Sequence, residues 1–165
     1  MSLSLPLHLS IHLFFSLLAG VIVWRIWKKP LWAFIFGILG GFLIDFDHFI
    51  DYYLAFGWNW NWLYFKWGYE FLKNGKIFVL FHGWEYAIIL GLALFLFKNR
   101  YARTILAALA LGVFFHLATD VVVDDMPIRS YSLNYRIHNS FEIARIVKPD
   151  NYEKHLKRKA KVEFN

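Results

Sequence analysis

With 59% hydrophobic and 21% aromatic residues in 165, and a mean hydropathy of +0.42, the chain is too apolar for an ordinary soluble domain and reads as an all-α membrane protein. The absence of cysteine excludes disulfides and thiolate metal sites, so any metal falls to His, Asp and Glu. The formal charge of +6 is set by where the bases sit, and nothing in that placement predicts nucleic-acid binding.

Four stretches approach the roughly 20 apolar residues that a helix needs to cross a bilayer: 8–27, 31–49, 77–97 and 101–123. The first holds His8 and His12. Its leading residues, MSLSLPLHLSIHLFF, carry neither a basic segment nor a small-residue cleavage pattern, which predicts a retained helix and not a cleaved signal. A short basic turn follows, Arg25, Lys28 and Lys29, and Pro30 starts the second helix where its missing N–H costs nothing. That helix ends in Asp45, Asp47 and His48, with Asp51 just beyond.

In the long connection up to Lys76, Trp58, Trp62, Phe65, Tyr69 and Leu72 recur at helical spacing, while Asn59, Lys66, Glu70 and Lys73 form the other stripe. The pattern predicts an interfacial helix anchored by aromatic residues between helices 2 and 3. The third stretch carries His82 and Glu85, and the fourth, after the basic turn Lys98-Asn99-Arg100, carries His116 and Asp120. The expected organisation is a four-helix transmembrane domain over 1–125 and a basic, partly helical tail over 126–165. Arg129, Arg136, Arg145 and the bases of 154–161 suit that tail to anionic lipid headgroups, and Pro149-Asp150-Asn151 reads as a helix start.

Counting from the basic turns at 1.5 Å per residue puts His12 at roughly 20 Å, Asp45 at roughly 21 Å, His82 at roughly 24 Å and His116 at roughly 22 Å. All four polar sets therefore fall within about one helical turn of a common depth. Rotation agrees, because Asp45 and His48, His82 and Glu85, and His116 and Asp120 are three or four residues apart and project from one side of a helix. Ionisable residues inside a span cost about 2.5 to 3.5 kcal/mol each, and a shared metal centre gives several of them one purpose. The predicted ligands are His12, Asp45, Asp47, His48, His82, Glu85, His116 and Asp120. His8 and Asp51 read equally as further ligands or as interfacial polar residues, and His138 and His155 lie in the polar tail outside the set.

The segments HLFFSLLAG at His12, GGFLIDFDH ending at His48, HGWE at His82 and GVFFHLATD at His116 and Asp120 together resemble the LexA-binding, inner membrane-associated, metal-dependent hydrolases. Ile44-Asp45-Phe46-Asp47-His48 is similar to the family's Pro-Asp-Ile-Asp-His motif except for the proline. Gly112, His116 and Asp120 match its last motif. Where the family shows a His-Arg-Gly-x-Thr-His-Ser run, this chain has Phe81-His82-Gly83-Trp84-Glu85-Tyr86, and Glu85 stands in for the second histidine. The resemblance covers about 1–125 and extends, through the His-x-x-x-Asp arrangement, to zinc-dependent phospholipases C. It implies a hydrolase of a prokaryotic inner membrane.

A sulfur-free His and carboxylate set suits one or two Zn²⁺ ions, with Mn²⁺ or Fe²⁺ as alternatives. The expected reaction is hydrolysis of a phosphoester of a lipid or prenyl phosphate, with Asp47 and then Glu85 as candidate bridging residue or general base. An ion or metal transporter and a metal-stabilised scaffold without catalysis remain the alternatives. The polar groups gather toward one face, which favours an interfacial site over a path through the membrane. The short basic turns place that site outside by the positive-inside rule, although twelve of the eighteen Lys and Arg lie on the site's side.

Overall fold

A computed structural model describes residues 5–162, and every regular element among them is helical. The chain folds as two compact units: one runs to Asp45 and resumes over Phe81–Asp125, and the other comprises Phe46–Leu80 and the chain from Met126.

The first unit is built on α1 (Leu5–Trp27), α2 (Pro30–Gly41), α6 (Trp84–Ala93) and α7 (Arg100–Val123), α3 to α5 lying in the second unit. Pro30 occupies the first position of α2, and the Asn99 side chain caps α7 by accepting from the Tyr101 N–H at 2.8 Å. His12, Ser16, Ala19, Gly20 and Val23 form the buried stripe of α1, recurring at helical spacing. Outside that stripe Phe14, Ile22 and Ile26 are exposed, as are Leu31 and Ile35 of α2 and Ile88, Ile89 and Leu92 of α6. Outward apolar faces of this extent suit lipid and not water.

Small residues let α1, α2 and α7 approach closely, as helices do where lipid removes the hydrophobic drive between them. A Cβ built on Gly40 would lie 2.6 Å from the Leu109 carbonyl oxygen, and one on Gly112 would lie 2.8 Å from the Gly37 carbonyl oxygen. Both contacts are backbone to backbone, so neither has a side chain that could swing away.

Two helices, α1 and α7, are long and apolar enough to cross a membrane. A third candidate arises if α2 and the segment Leu43–Phe56, bent by 45° at their junction, count as one span. The helix expected over 31–49 is broken: α2 stops at Gly41, a 3₁₀ turn occupies Leu43–Asp47, and α3 runs His48–Phe56. The helix expected over 77–97 starts only at Trp84 and continues as a 3₁₀ turn to Leu96, leaving it shorter than a span.

The second unit contains α3, α4 (Trp62–Lys66), α5 (Tyr69–Asn74), α8 (Leu133–His138), α9 (Ile143–Ile146) and α10 (Pro149–Lys159). The aromatic connection is two short helices, because Gly68 between them adopts a left-handed φ of 62°. Phe49, Tyr52, Trp60 and Phe65 pack as one aromatic group with ring centroids 4.6 to 5.8 Å apart. Asp51 explains why 77–80 is not helical. Its carboxylate accepts the N–H groups of Phe78 at 3.1 Å and Val79 at 2.8 Å, while buried Arg136 donates to the Val79 carbonyl at 3.0 Å. Those bonds hold Val79, a β-branched residue, at a φ of 31°.

Candidate metal centre

Six of the polar residues that interrupt the apolar stretches meet inside the first unit. His8 and His12 come from α1, separated by one turn, and His116 and Asp120 come from α7 with the same spacing. Asp45 is delivered by the 3₁₀ turn after α2, and His82 by the non-helical residues before α6. Both ligands therefore sit where a predicted helix is broken. His12, His82, His116 and Asp120 are buried, and the side chains of His8 and Asp45 are 22% and 23% exposed.

Asp120 lies at the middle of this group. Its Oδ1 is 3.1 Å from His12 Nε2 and 3.9 Å from His8 Nε2, and its Oδ2 is 3.1 Å from His116 Nε2 and 3.8 Å from His82 Nε2. Asp45 Oδ1 is 3.2 Å from His82 Nε2 and 3.4 Å from His116 Nε2. The histidines also converge on one another. Nε2 atoms of His8 and His12 are 2.8 Å apart, those of His82 and His116 are 3.0 Å apart, and the rings of His12 and His116 stack at 4.0 Å.

The geometry around His116 tests whether these groups suit a cation. Its Nδ1 lies 2.9 Å from the Gly41 carbonyl oxygen, which can only accept, so Nδ1 carries the hydrogen. In the neutral ring Nε2 then presents a lone pair, and it faces oxygens of both Asp45 and Asp120. Lone pairs directed at carboxylates in a buried site repel unless positive charge lies among them. A divalent ion supplies that charge, and a backbone carbonyl orienting the far ring nitrogen is the usual support of a metal-binding histidine. Nitrogen and oxygen donors without sulfur fit Zn²⁺, Mn²⁺ or Fe²⁺. Three triads within the unit have ligand atoms mutually within 4.8 Å: His8, His12 and Asp120; His12, Asp45 and His116; and His82, His116 and Asp120.

Of the eight ligands predicted from sequence, His12, Asp45, His82, His116 and Asp120 come together here, and His8 joins them. Asp47 and His48 fall past the unit joint, Asp47 closing the 3₁₀ turn and His48 opening α3. Glu85 sits in the first turn of α6, and among the described residues neither it nor Asp47 belongs to a triad of ligand spacing. Asp51 is committed to the backbone of Phe78 and Val79. His138 Nδ1 pairs with the Asn134 carbonyl at 2.9 Å, and His155 stacks on Tyr152. The supporting carbonyl of Gly41 was not foreseen, although the Gly40-Gly41 pair before the Asp45 motif marks a close backbone approach.

An apolar groove of about 560 Å³ opens between α1, α6 and α7, lined among others by Ile22, Ile26, Trp84, Ala107, Leu111 and Phe114. Trp84 is two residues from His82 and Phe114 two residues from His116, and their rings lie 6.0 Å apart. In comparisons with family models, with curated proteins and with solved structures, no match to this chain was found.

Proposed function

We propose that this chain is a membrane-embedded, metal-dependent hydrolase that cleaves a phosphoester of a lipid or prenyl phosphate, as its resemblance to the LexA-binding, inner membrane-associated hydrolases implies. The observation that carries the reading is the convergence of four histidines and two aspartates from α1, α7 and the ends of two interrupted helices. Polar groups this costly in an apolar unit call for a cation.

A bound divalent ion supplies Lewis acidity toward a phosphoryl oxygen and lowers the pKa of a bound water. The protein's own residues hold and aim that chemistry. Gly41 fixes the His116 ring, Asp45 and Asp120 supply the negative charge, and the apolar groove lined by Trp84 and Phe114 suits an alkyl or prenyl chain. A chain gains little from leaving lipid for that groove, so the groove does not drive binding. Asp47 and Glu85 remain the proposed general bases.

On this reading α1, α2, α6 and α7 form a four-helix bundle in a prokaryotic inner membrane, α4 and α5 are the aromatic interfacial segment, and the basic residues of α10 meet anionic headgroups. Elemental analysis of purified protein beside His116→Ala tests the metal, and release of phosphate or headgroup from defined lipids tests the reaction. Stoichiometric metal that His116→Ala lowers, together with turnover, supports the hydrolase. Metal without turnover points to a scaffold, and protein purified without metal removes the basis of the proposal.

A further inference from the structure

We propose that the cluster holds two divalent cations and that the Asp120 carboxylate is shared between them. This rests on the metal-dependent reading above and adds the number of ions and the partition of their ligands. One ion takes His8, His12 and Asp120 Oδ1, and the other takes His82, His116, Asp45 and Asp120 Oδ2.

The partition follows from the way the six residues divide around one carboxylate. Each oxygen of Asp120 faces its own pair of imidazoles, with the nearer ring at 3.1 Å in both cases. Within each pair the Nε2 atoms point at each other, 2.8 Å apart on one side and 3.0 Å on the other. Two ring nitrogens sharing a tetrahedral zinc at 2.0–2.1 Å stand about 3.3 Å apart, so either pair accepts an ion with a shift of a few tenths of an ångström. A single tetrahedral ion has no such fit, because four imidazoles and two carboxylates exceed its shell and the two pairs lie on opposite oxygens of the carboxylate between them.

Asp45 makes the halves unequal. Its Oδ1 is within 3.4 Å of both His82 and His116, which gives the second ion four protein donors against three for the first. His8, one of those three, is also the more exposed histidine of its pair. The His8 ion is therefore the weaker and the first to leave. Two divalent ions against Asp45 and Asp120 leave the site a net charge of about +2, which suits the oxygens of a phosphate group.

Metal counting on full-length protein in detergent, loaded with Zn²⁺ and desalted, decides the matter. Wild type should carry two ions per chain, His8→Ala one, His82→Ala one, and a graded chelator should strip wild type in two steps. With Mn²⁺ the wild type should give the exchange-coupled electron paramagnetic resonance spectrum of an ion pair, and His8→Ala the six-line spectrum of a single ion. The Mn²⁺ spectrum of wild type does not depend on any variant folding. One ion in wild type, or two retained in His8→Ala, overturns the two-ion site while leaving a metal-dependent protein. No ion in wild type overturns the metal reading itself.

Discussion

His116 donates through Nδ1 to the carbonyl oxygen of Gly41 across 2.9 Å, and this bond ties the ligand face of α7 to the end of α2. It is possible only because Gly40, Gly41 and Gly112 bring the two backbones together. Helix packing and ligand orientation are thus one feature. An aliphatic side chain at the contact would move the carbonyl that sets the ring.

Gly112→Ala tests that coupling. Its Cβ would sit 2.8 Å from the Gly37 carbonyl and 2.9 Å from the Gly41 nitrogen, neither of which can rotate away. Separation of α2 from α7 should cost about 1 to 3 kcal/mol of stability. Loss of the His116 orientation should weaken metal affinity by about 10- to 100-fold. Equilibrium titration with a competing chelator reads the second effect, and unchanged affinity would show that the Gly41 bond does not orient the ligand.

Removing the wrong histidines should do nothing to the metal. His138 is satisfied by the Asn134 carbonyl and His155 packs on Tyr152, both in the second unit. His138→Ala and His155→Ala are expected to keep the wild-type metal content. A loss in either, measured on folded protein, would mean that the ligand set is wider than the six residues assigned.

Asp47→Asn and Glu85→Gln separate a base from a ligand. Whichever residue is the general base should lose about 10²- to 10⁴-fold in kcat when neutralised. Its metal content should stay at the wild-type level. Full turnover in both variants would leave the base elsewhere, and metal loss in either would make that residue a ligand.

Asp51→Ala addresses the strained segment after α5. Without the carboxylate, the N–H groups of Phe78 and Val79 lose their acceptor, and only the Arg136 bond to the Val79 carbonyl is left to hold the φ of 31° at Val79. A loss of about 1 to 3 kcal/mol is expected for each buried donor left unsatisfied. Thermal unfolding in detergent measures it, and a wild-type melting temperature would show that Asp51 does not hold this turn.

Glu70 should make stability depend on pH. Burial, with the charge of Asp51 in support and that of Arg158 opposing, pushes its carboxyl from 4.5 up to about 8. A carboxyl whose pKa is higher folded than unfolded favours the folded state fully below the unfolded value, and that favour is lost as pH rises toward 8. Between those limits stability should fall by at most about 1.4 kcal/mol per pH unit. Glu70→Gln should flatten the decline, and unfolding of both proteins across pH 5 to 9 compares them; parallel curves would assign the slope to another group.

Much of the site was legible because its residues violate their surroundings. A histidine at position 12 or 116 has no cheap place in an apolar helix, and both positions fall on helices long enough to cross a membrane. Spacing of three or four residues likewise paired His116 with Asp120. The same regularity misdirected the expectation where helices end early. The stretch 31–49 was read as one continuous helix, whereas α2 stops at Gly41, a 3₁₀ turn delivers Asp45 and His48 begins α3. The start of the third helix was likewise set too early, because the Asp51 and Arg136 bonds that hold 78–79 out of a helix come from residues 27 to 57 positions away.

By itself, then, the sequence determined what depends on composition and local periodicity: an all-helical, membrane-directed chain with sulfur-free polar groups set in its apolar stretches. Only the tertiary structure decided the partition around Asp120, the joining of His8 to His12, and the carbonyl of Gly41 behind His116. The reason is physical. Hydropathy and helical period are properties of neighbouring residues, whereas the direction in which a carboxylate oxygen or a ring nitrogen points is fixed by whichever backbone packs against it.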